Sequence, residues 1–534
     1  MQSHCLSFDH IPHSTRLFLD YLYHFDRVQQ FFARPPFARD WVGEEAARLR
    51  YDSARRERVA AILERQNRAW GASNSTLDNI WRFRAGASAV VTGQQVALFG
   101  GPLFSIYKAL SAVKLADEFT QKGHACVPIF WLATEDHDLA EVNHVTLLSP
   151  QGALSGFQTE AHGPEDAPMS AVHFGAEIEQ QADEAARFLG DGEAGTLLRQ
   201  SYRQGETLGS AFAKLFAQFF RDSGVILIDA ADPELHAIAE SVYRAAIVAA
   251  SDLDDALLQR GRELEARGYH SQVKVTPSST LVFAIKEGRR VPIHRSNGQF
   301  TVAGEKLGSD ELLRRISESP AEFSANVLLR PVVEDYLLPT IAYIGGPSEI
   351  AYFAQAGVVY EELLGRVTPV LPRFSATLIE PRVHRFLERY NLSLQDSFRG
   401  PEHLRVLLAE RALPGDINAG FDSADRHVQA ALGEIKSALA HLDPTLVEAA
   451  EHAGSKMSYQ LGRLRERAAR AQLRRSEELA AHAAVLSNSL YPDKELQERV
   501  VGAISFLARY GPQLLTTLYD AVKSECPDHQ VVYL

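Results

Sequence analysis

The chain has 534 residues, 46% of them hydrophobic, and a net charge of −13 from 55 lysines and arginines against 68 acids. That length accommodates about three domains of ~150 residues, and the acidic balance argues against a general binder of nucleic acid or other polyanions. No run of about 18 apolar residues occurs, so no membrane span is expected. Met1-Gln2-Ser3-His4-Cys5 lacks a basic stretch ahead of an apolar one, so no secretory signal is expected. Cys5, Cys126 and Cys526 lie far apart without a CxxC pair, too few for a disulfide framework, which makes a reducing cytoplasm the expected setting.

Taken in chain order, Ala89 to Thr92, Val127 to Leu132, Val225 to Asp229 and Thr340 to Ile344 are short, branched or aromatic runs, each closed by glycine or an acid, and read as core strands. Ile106, Leu110, Val113, Ala116 and Phe119 form one helical apolar face after the first strand. Phe212, Leu215, Phe216 and Phe219 form another before the third. This alternation predicts a parallel α/β sheet with right-handed crossovers. Residues of about 150–200 have weak periodicity and read as an insertion at the sheet edge. Those of about 268–325 read as a second insertion, with a hairpin turning at Glu287-Gly288. From 376 to 505 long helices dominate. Val428, Leu432, Ile435, Leu439 and Leu442, then Met457, Leu461, Leu464, Ala468 and Ala471 beyond Asp443-Pro444, carry heptad spacing and predict an antiparallel coiled-coil arm. Its apolar seam implies a homodimer. Residues 506–534 regain mixed character and are expected to return to a core spanning 1–375.

Gly100-Gly101-Pro102 and Gly345-Gly346-Pro347 each follow a predicted strand and precede a helix. Glycine permits the tight turn, proline suits the first helical turn, and free amides at a helix start favour a phosphate or carboxylate. Each is also the geometry of a plain strand-to-helix turn. Neither is a GxxxxGK[ST] loop. Beside the first turn, Thr92, Gly93, Gln94 and Gln95 offer hydroxyl and amide groups to a polyol or carboxylate. Lys108 on the next helix is placed to reach an anion or to stand in solvent.

Glu135-Asp136-His137-Asp138, followed by Glu141, Asn143 and His144, crowds ionisable groups after a strand that should be buried on both faces. Ligands of open α/β sheets bind outside the carboxyl ends of strands, and crowded acids raise one another's pKa. The cluster therefore supplies candidate general bases. Asp136, Asp138, Glu141 and His144 also read as a divalent-ion set, but their spacing fits no specific cage and no tightly bound metal is expected. A salt-bridged turn is the bland alternative. Asn326, Arg330 and Arg373 flank later strands, where arginine anchors carboxylate or phosphate, or pairs with a structural acid. Lys456-Met457-Ser458 resembles part of a KMSKS loop but falls inside the heptads and reads as coincidence. Arg463, Arg465, Arg467, Arg470, Arg474 and Arg475 read as a solvated face rather than an RNA site.

Thr92-Gly93-Gln94-Gln95, Gly101-Pro102-Leu103-Phe104, Glu135-Asp136-His137-Asp138, Asn143-His144, Asn326 to Pro331, Leu338-Pro339-Thr340, Gly345 to Tyr352 and Leu371-Pro372-Arg373 resemble the central motifs of the cysteine-adding enzymes of bacillithiol biosynthesis. The likeness runs from Ile11-Pro12-His13 to Asp528-His529-Gln530. It implies a Rossmann-like core with two connecting-peptide insertions and a dimerising coiled-coil arm, similar in architecture to class I aminoacyl-tRNA synthetases. The reaction it implies joins L-cysteine to the amine of glucosaminyl-malate. An ATP-dependent route would be natural, though no HxGH string is evident. An adenine nucleotide (ATP or ADP) is expected near the arm–core junction, where Tyr491 and Gln497 stand.

On this reading Gly93, Gly101, Gly345 and Gly346, with Arg330 or Arg373, bind carboxylate or phosphate. His137 or Asp138, beside Asp136 and Glu135, takes the amine proton, and Gln94, Gln95, Asn143 and His144 orient hydroxyls. The alternatives are a non-catalytic dimeric nucleotide-binding scaffold, and a different amide-forming or nucleotidyl-transferring enzyme of thiol metabolism.

Overall fold

The computed structural model describes residues 3–534. Its centre is a five-stranded, wholly parallel sheet of β1 (Ser88–Gln94), β2 (Cys126–Leu132), β3 (Ile226–Asp229), β4 (Thr340–Gly345) and β5 (Val370–Pro372), in the order β5-β4-β1-β2-β3. All four predicted core strands are present. Every residue of β2 and β4 is buried, which is why they read as continuous apolar runs rather than alternating ones: helices cover both faces. Helix α1 (Leu103–Gln121) carries the chain from β1 to β2, and helix α2 (Pro347–Leu364) from β4 to β5. The chain runs outward through β1, β2 and β3, then returns to place β4 on the other side of β1. That reversal opens a crevice at the carboxyl ends of β1 and β4, the place where doubly wound sheets take ligands.

The path from β2 to β3 holds two short hairpins and the helices Glu177–Leu189, Glu193–Ser201 and Leu208–Phe219. The path from β3 to β4 holds Pro233–Val248 and Ala250–Ala266, then an antiparallel five-stranded sheet. In it Ser279–Lys286 pairs with Arg289–Ser296 across the Glu287-Gly288 turn, where both residues adopt positive φ. A third sheet joins the chain's ends. Ser3–Leu6 lies antiparallel to His529–Tyr533, which runs parallel to Ala376–Ile379.

The arm consists of α3 (Gly415–Leu442) and α4 (Thr445–Arg475). Asp443 breaks the helix between them, its carboxylate accepting from the Thr445 amide and hydroxyl. Pairing is antiparallel: Lys436 meets Glu451, Gln429 donates to Ser458, and Arg465 meets Asp422. Leu432 packs over Gly454, where an added Cβ would lie 2.7 Å from Leu432 Cδ1. The two-helix seam does not use all the heptad positions. Ile435, Leu442, Met457 and Leu464 remain 49%, 78%, 49% and 55% exposed. The other helices of 376–505, including Pro381–Tyr390, Pro401–Arg411 and Glu477–Leu490, pack near the arm's base.

Candidate functional site

The crevice at the β1/β4 switch point is a cavity of about 430 Å³. Gly93, Gln94 and Gln95 enter it from the end of β1, Glu135 and Asp136 from the end of β2, and Gly346 and Glu349 from the turn after β4. Lys108 comes from α1, Arg290 from the antiparallel sheet, Asn326 and Arg330 from the segment before β4, and Arg373 and Arg499 from later chain. Early and late segments therefore share one cavity. A larger cavity of about 820 Å³ lies at the amino ends of β4 and β5. There Arg34 is paired with Glu44 and Glu45, and Arg366 with Asp335.

Lys108 is buried, and its ammonium donates to the Gly93 carbonyl at 2.7 Å and the Gln94 side chain at 2.8 Å, beside Glu349 at 2.5 Å. Burial lowers the Lys108 pKa against the pull of Glu349. Burial alone would raise the Glu349 carboxyl, but Lys108, the Gly346 amide and the Tyr343 hydroxyl hold it below its ordinary value. Arg330 is ion-paired with buried Glu334 at 3.0 Å and donates to the Tyr352 hydroxyl. Burial pushes Glu334 up to about 8 even beside that arginine. Arg290 lies over the Phe283 ring and donates to Ser324, to the Ala325 carbonyl and, at 3.3 Å, to His137 Nδ1.

Glu135 has the most unusual setting. Burial pushes its carboxyl up to about 8, and its Oε1 lies 3.4 Å from His236 Nε2 with no hydrogen-bond partner. His236 is itself buried and held below its ordinary pKa by desolvation. Its Nδ1 lies 2.8 Å from the Phe323 carbonyl, which can only accept. The proton is therefore on Nδ1, and a neutral His236 presents a bare Nε2 lone pair to Glu135. Carboxyl and imidazole can share one proton beside the cavity.

Several expected contributors stand elsewhere. The acid/imidazole loop divides: Glu135, Asp136 and Glu141 line the cavity, His137 stands outside its lining on the far side of Arg290, and Asp138 is exposed and caps the short helix Leu139–Val142. Asn143 ends that helix and His144 is exposed, both away from the cavity, because the chain turns there into a hairpin with Leu154–Gln158. Thr92 is fully buried and donates to the Ile344 carbonyl, joining β1 to β4. The glycine amides are not free for an anion. Gly101 donates to the Leu98 carbonyl and Gly346 to the Glu349 carboxylate three residues on, which satisfies the amide at the start of α2. The Gly345 carbonyl accepts from the Arg373 amide. The Arg373 guanidinium lines the cavity but is paired at 2.6 Å with buried Glu498. Gln95 binds Asp136 and Glu141, while the Asn326 side chain accepts from the Leu328 and Leu329 amides.

Tyr491 and Gln497 do not fit a nucleotide site. Gln497 is fully buried, with its amide spent on the Leu378 backbone and the Ser489 carbonyl, and Tyr491 is buried against Phe398. Arg290, His236 and Glu349 were missed in the sequence. Of these only Glu349 carried a local signal, its three-residue spacing from Gly346.

These features define a Rossmann-like α/β protein with a coiled-coil arm, whose sheet opens at its switch point onto a cavity rich in guanidinium and buried carboxyl groups. The chain belongs to the BshC family. Residues 1–374 match "Bacillithiol biosynthesis BshC, N-terminal Rossmann-like domain", and residues 376–534 match "Bacillithiol biosynthesis BshC, C-terminal coiled-coil domain". Relatives named "Putative cysteine ligase BshC" include one from Koribacter versatilis, 50% identical over 99% of both chains. Another, from Solibacter usitatus, is 36% identical over the whole of both, and a third, from Salinibacter ruber, is 32% identical over 97% of this chain and 96% of its own. A solved chain titled as an arginyl-tRNA synthetase from Campylobacter jejuni, itself a provisional assignment, aligns at 11% identity with a TM-score of 0.24, too low to inform the fold. Among the described residues no helix is long and apolar enough to cross a membrane.

Proposed function

We propose that this protein is a ligase that joins L-cysteine to the amine of glucosaminyl-malate, the last step of bacillithiol biosynthesis. The family and the names of its relatives support the class of reaction. The observation that carries the reading is the composition of the switch-point cavity: guanidinium groups of Arg290, Arg330, Arg373 and Arg499 around buried Glu135 and Lys108. Arginine pairs with carboxylates through a planar fork, and the malate end of the acceptor carries two of them. Arg290, whose donors reach neutral groups rather than an acid, has charge left to offer.

An amine attacks the activated cysteine acyl carbon only when neutral; as the C–N bond forms, the C–O bond to the activating group breaks, that group departs with the oxygen, and the amine sheds a proton. Glu135 is the group we assign to receive it. A carboxyl held near 8 is a far stronger base, once ionised, than an ordinary one. This replaces His137 and Asp138 in that role. Holding both substrates in one cavity supplies several kcal/mol of the barrier reduction. The adenine nucleotide suggested by the resemblance has no fitted place at Tyr491 or Gln497. The exposed heptad residues Ile435, Leu442, Met457 and Leu464 support pairing of two arms in a homodimer.

Mass spectrometry of low-molecular-weight thiols in a deletion strain tests the reading. Accumulated glucosaminyl-malate without its cysteinyl product, restored by the wild-type gene but not by Glu135→Gln, is expected. A normal thiol profile in the deletion strain would refute it and favour a scaffold.

A further inference from the structure

Two of the three cysteines, 521 positions apart in sequence, meet in the fold. Cys5 lies on the first strand, opposite Gln530 of the last, and Cys526 sits in the turn that leads into that last strand. Their Sγ atoms are 3.2 Å apart. Cys5 is exposed and Cys526 half-buried, while Cys126 is buried elsewhere. Sheet pairing holds Cys5, and the Tyr23 hydroxyl anchors the loop after Cys526 by donating to Asp528 at 2.8 Å and accepting from the Phe8 amide at 2.9 Å. Both thiols are thus positioned by backbone that is already ordered, and closing the remaining gap needs only a small side-chain movement.

We propose that Cys5 and Cys526 are a thiol–disulfide exchange site that takes a low-molecular-weight disulfide as its oxidant. The exposed Cys5 thiolate attacks one sulfur of the small disulfide, forming a mixed disulfide and expelling the first small thiolate, which takes a proton. The Cys526 thiolate then attacks Cys5 Sγ, and the second small thiolate leaves and is protonated. Two protein thiols are oxidised to one disulfide, and one small disulfide is reduced to two thiols. Burial and the neighbouring Cys5 push the Cys526 thiol up to about 11, which suits the resolving role better than the attacking one.

The pair lies beside the inner end of the cleft. Cys526, Asp528 and Gln530 share a small cavity with Arg373 and Ser375, and Ser375 contacts Glu498 and His529. A disulfide there fastens both chain termini beside the Arg373–Glu498 pair that borders the substrate cavity. Its value as a sensor of the product thiol pool rests on the ligase reading; the exchange chemistry does not.

The test uses the full-length protein, reduced and stripped of metal with a chelator, then exposed to oxidised glutathione, quenched with N-ethylmaleimide and digested for mass spectrometry. Wild type is expected to lose both alkylatable thiols and yield a peptide pair joined through Cys5 and Cys526, two hydrogens lighter than the sum and reversed by dithiothreitol. In Cys526→Ser, Cys5 is expected to accumulate the glutathione adduct with no cross-link. Separate glutathione adducts on both cysteines of wild type would overturn the proposal. So would two freely alkylated thiols under conditions that load Cys526→Ser. Alkylation blocked before the chelator step and freed by it would also overturn it, by making Cys5, Cys526 and Asp528 a metal site. No outcome depends on catalysis, so failure here leaves the ligase assignment standing, and failure of that assignment leaves this one testable.

Discussion

Replacing Glu135 with glutamine removes one titration and nothing else of comparable size. In wild type the carboxyl is pushed by burial from its ordinary 4.5 to about 8, a gap that corresponds to ~5 kcal/mol when ionisation is complete in both states. A raised pKa means the folded state holds the proton that the unfolded state has lost. The stabilisation is complete below pH 4.5, where both states are protonated, and is lost progressively as the pH rises through 8. Between pH 5.5 and 8.5 the accumulated loss is roughly 3 kcal/mol. The glutamine side chain of the variant keeps the shape but cannot ionise. Urea unfolding of both proteins at the two pH values, read on the transition of the sheet domain, should show wild type losing about 3 kcal/mol more than Glu135→Gln over that interval. Equal pH slopes for the two proteins would refute the assignment of a buried, protonated Glu135. They would also remove the basis for giving it the amine's proton.

Three other outcomes follow from the packing. Lys108→Met leaves Glu349 buried with only the Gly346 amide and Tyr343 hydroxyl, and should cost about 3 kcal/mol or more, with part of the loss recovered in Lys108→Met/Glu349→Gln; differential scanning calorimetry measures both. Burial would raise Glu498, but Arg373 holds its carboxyl below the ordinary 4.5, so its stabilisation is present above that pH and lost as the pH falls below it. Glu498→Gln should therefore be less sensitive than wild type to acidification from about pH 5 to about pH 3, monitored by circular dichroism. Ile435→Asp/Leu464→Asp should sediment as a monomer with unchanged helix content, whereas an unchanged sedimentation coefficient would remove the arm from dimer formation.

What the sequence made legible was what local patterning encodes. The strands of the central sheet show as unbroken apolar runs because both faces are covered, and α3 and α4 show as heptads because two helices share a seam. The site was legible only in outline. The β4 turn enters the cavity as expected, whereas Gly100-Gly101-Pro102 lies outside its lining; the Gly101 and Gly346 amides are consumed by Leu98 and Glu349, and only the Gly346–Glu349 spacing hinted at this. Within the acid/imidazole loop, charge density does not say which groups face inward. A helix of four residues beginning at Leu139 turns Asp138, Asn143 and His144 away from the cavity. Arg290 reaches the cavity, and His236 reaches Glu135 beside it, from segments far downstream of the loop, and no local pattern reports such a juxtaposition. The same holds for Cys5 and Cys526, whose separation in sequence concealed their proximity in the third sheet.

Where the acceptor substrate binds decides the assignment most directly. A crystal structure of the protein soaked with glucosaminyl-malate should show the malate carboxylates on Arg290 and Arg330 and the amine within hydrogen-bond reach of the Glu135 carboxyl. Density for the ligand elsewhere on the molecule, with the switch-point cavity left to solvent, would contradict it.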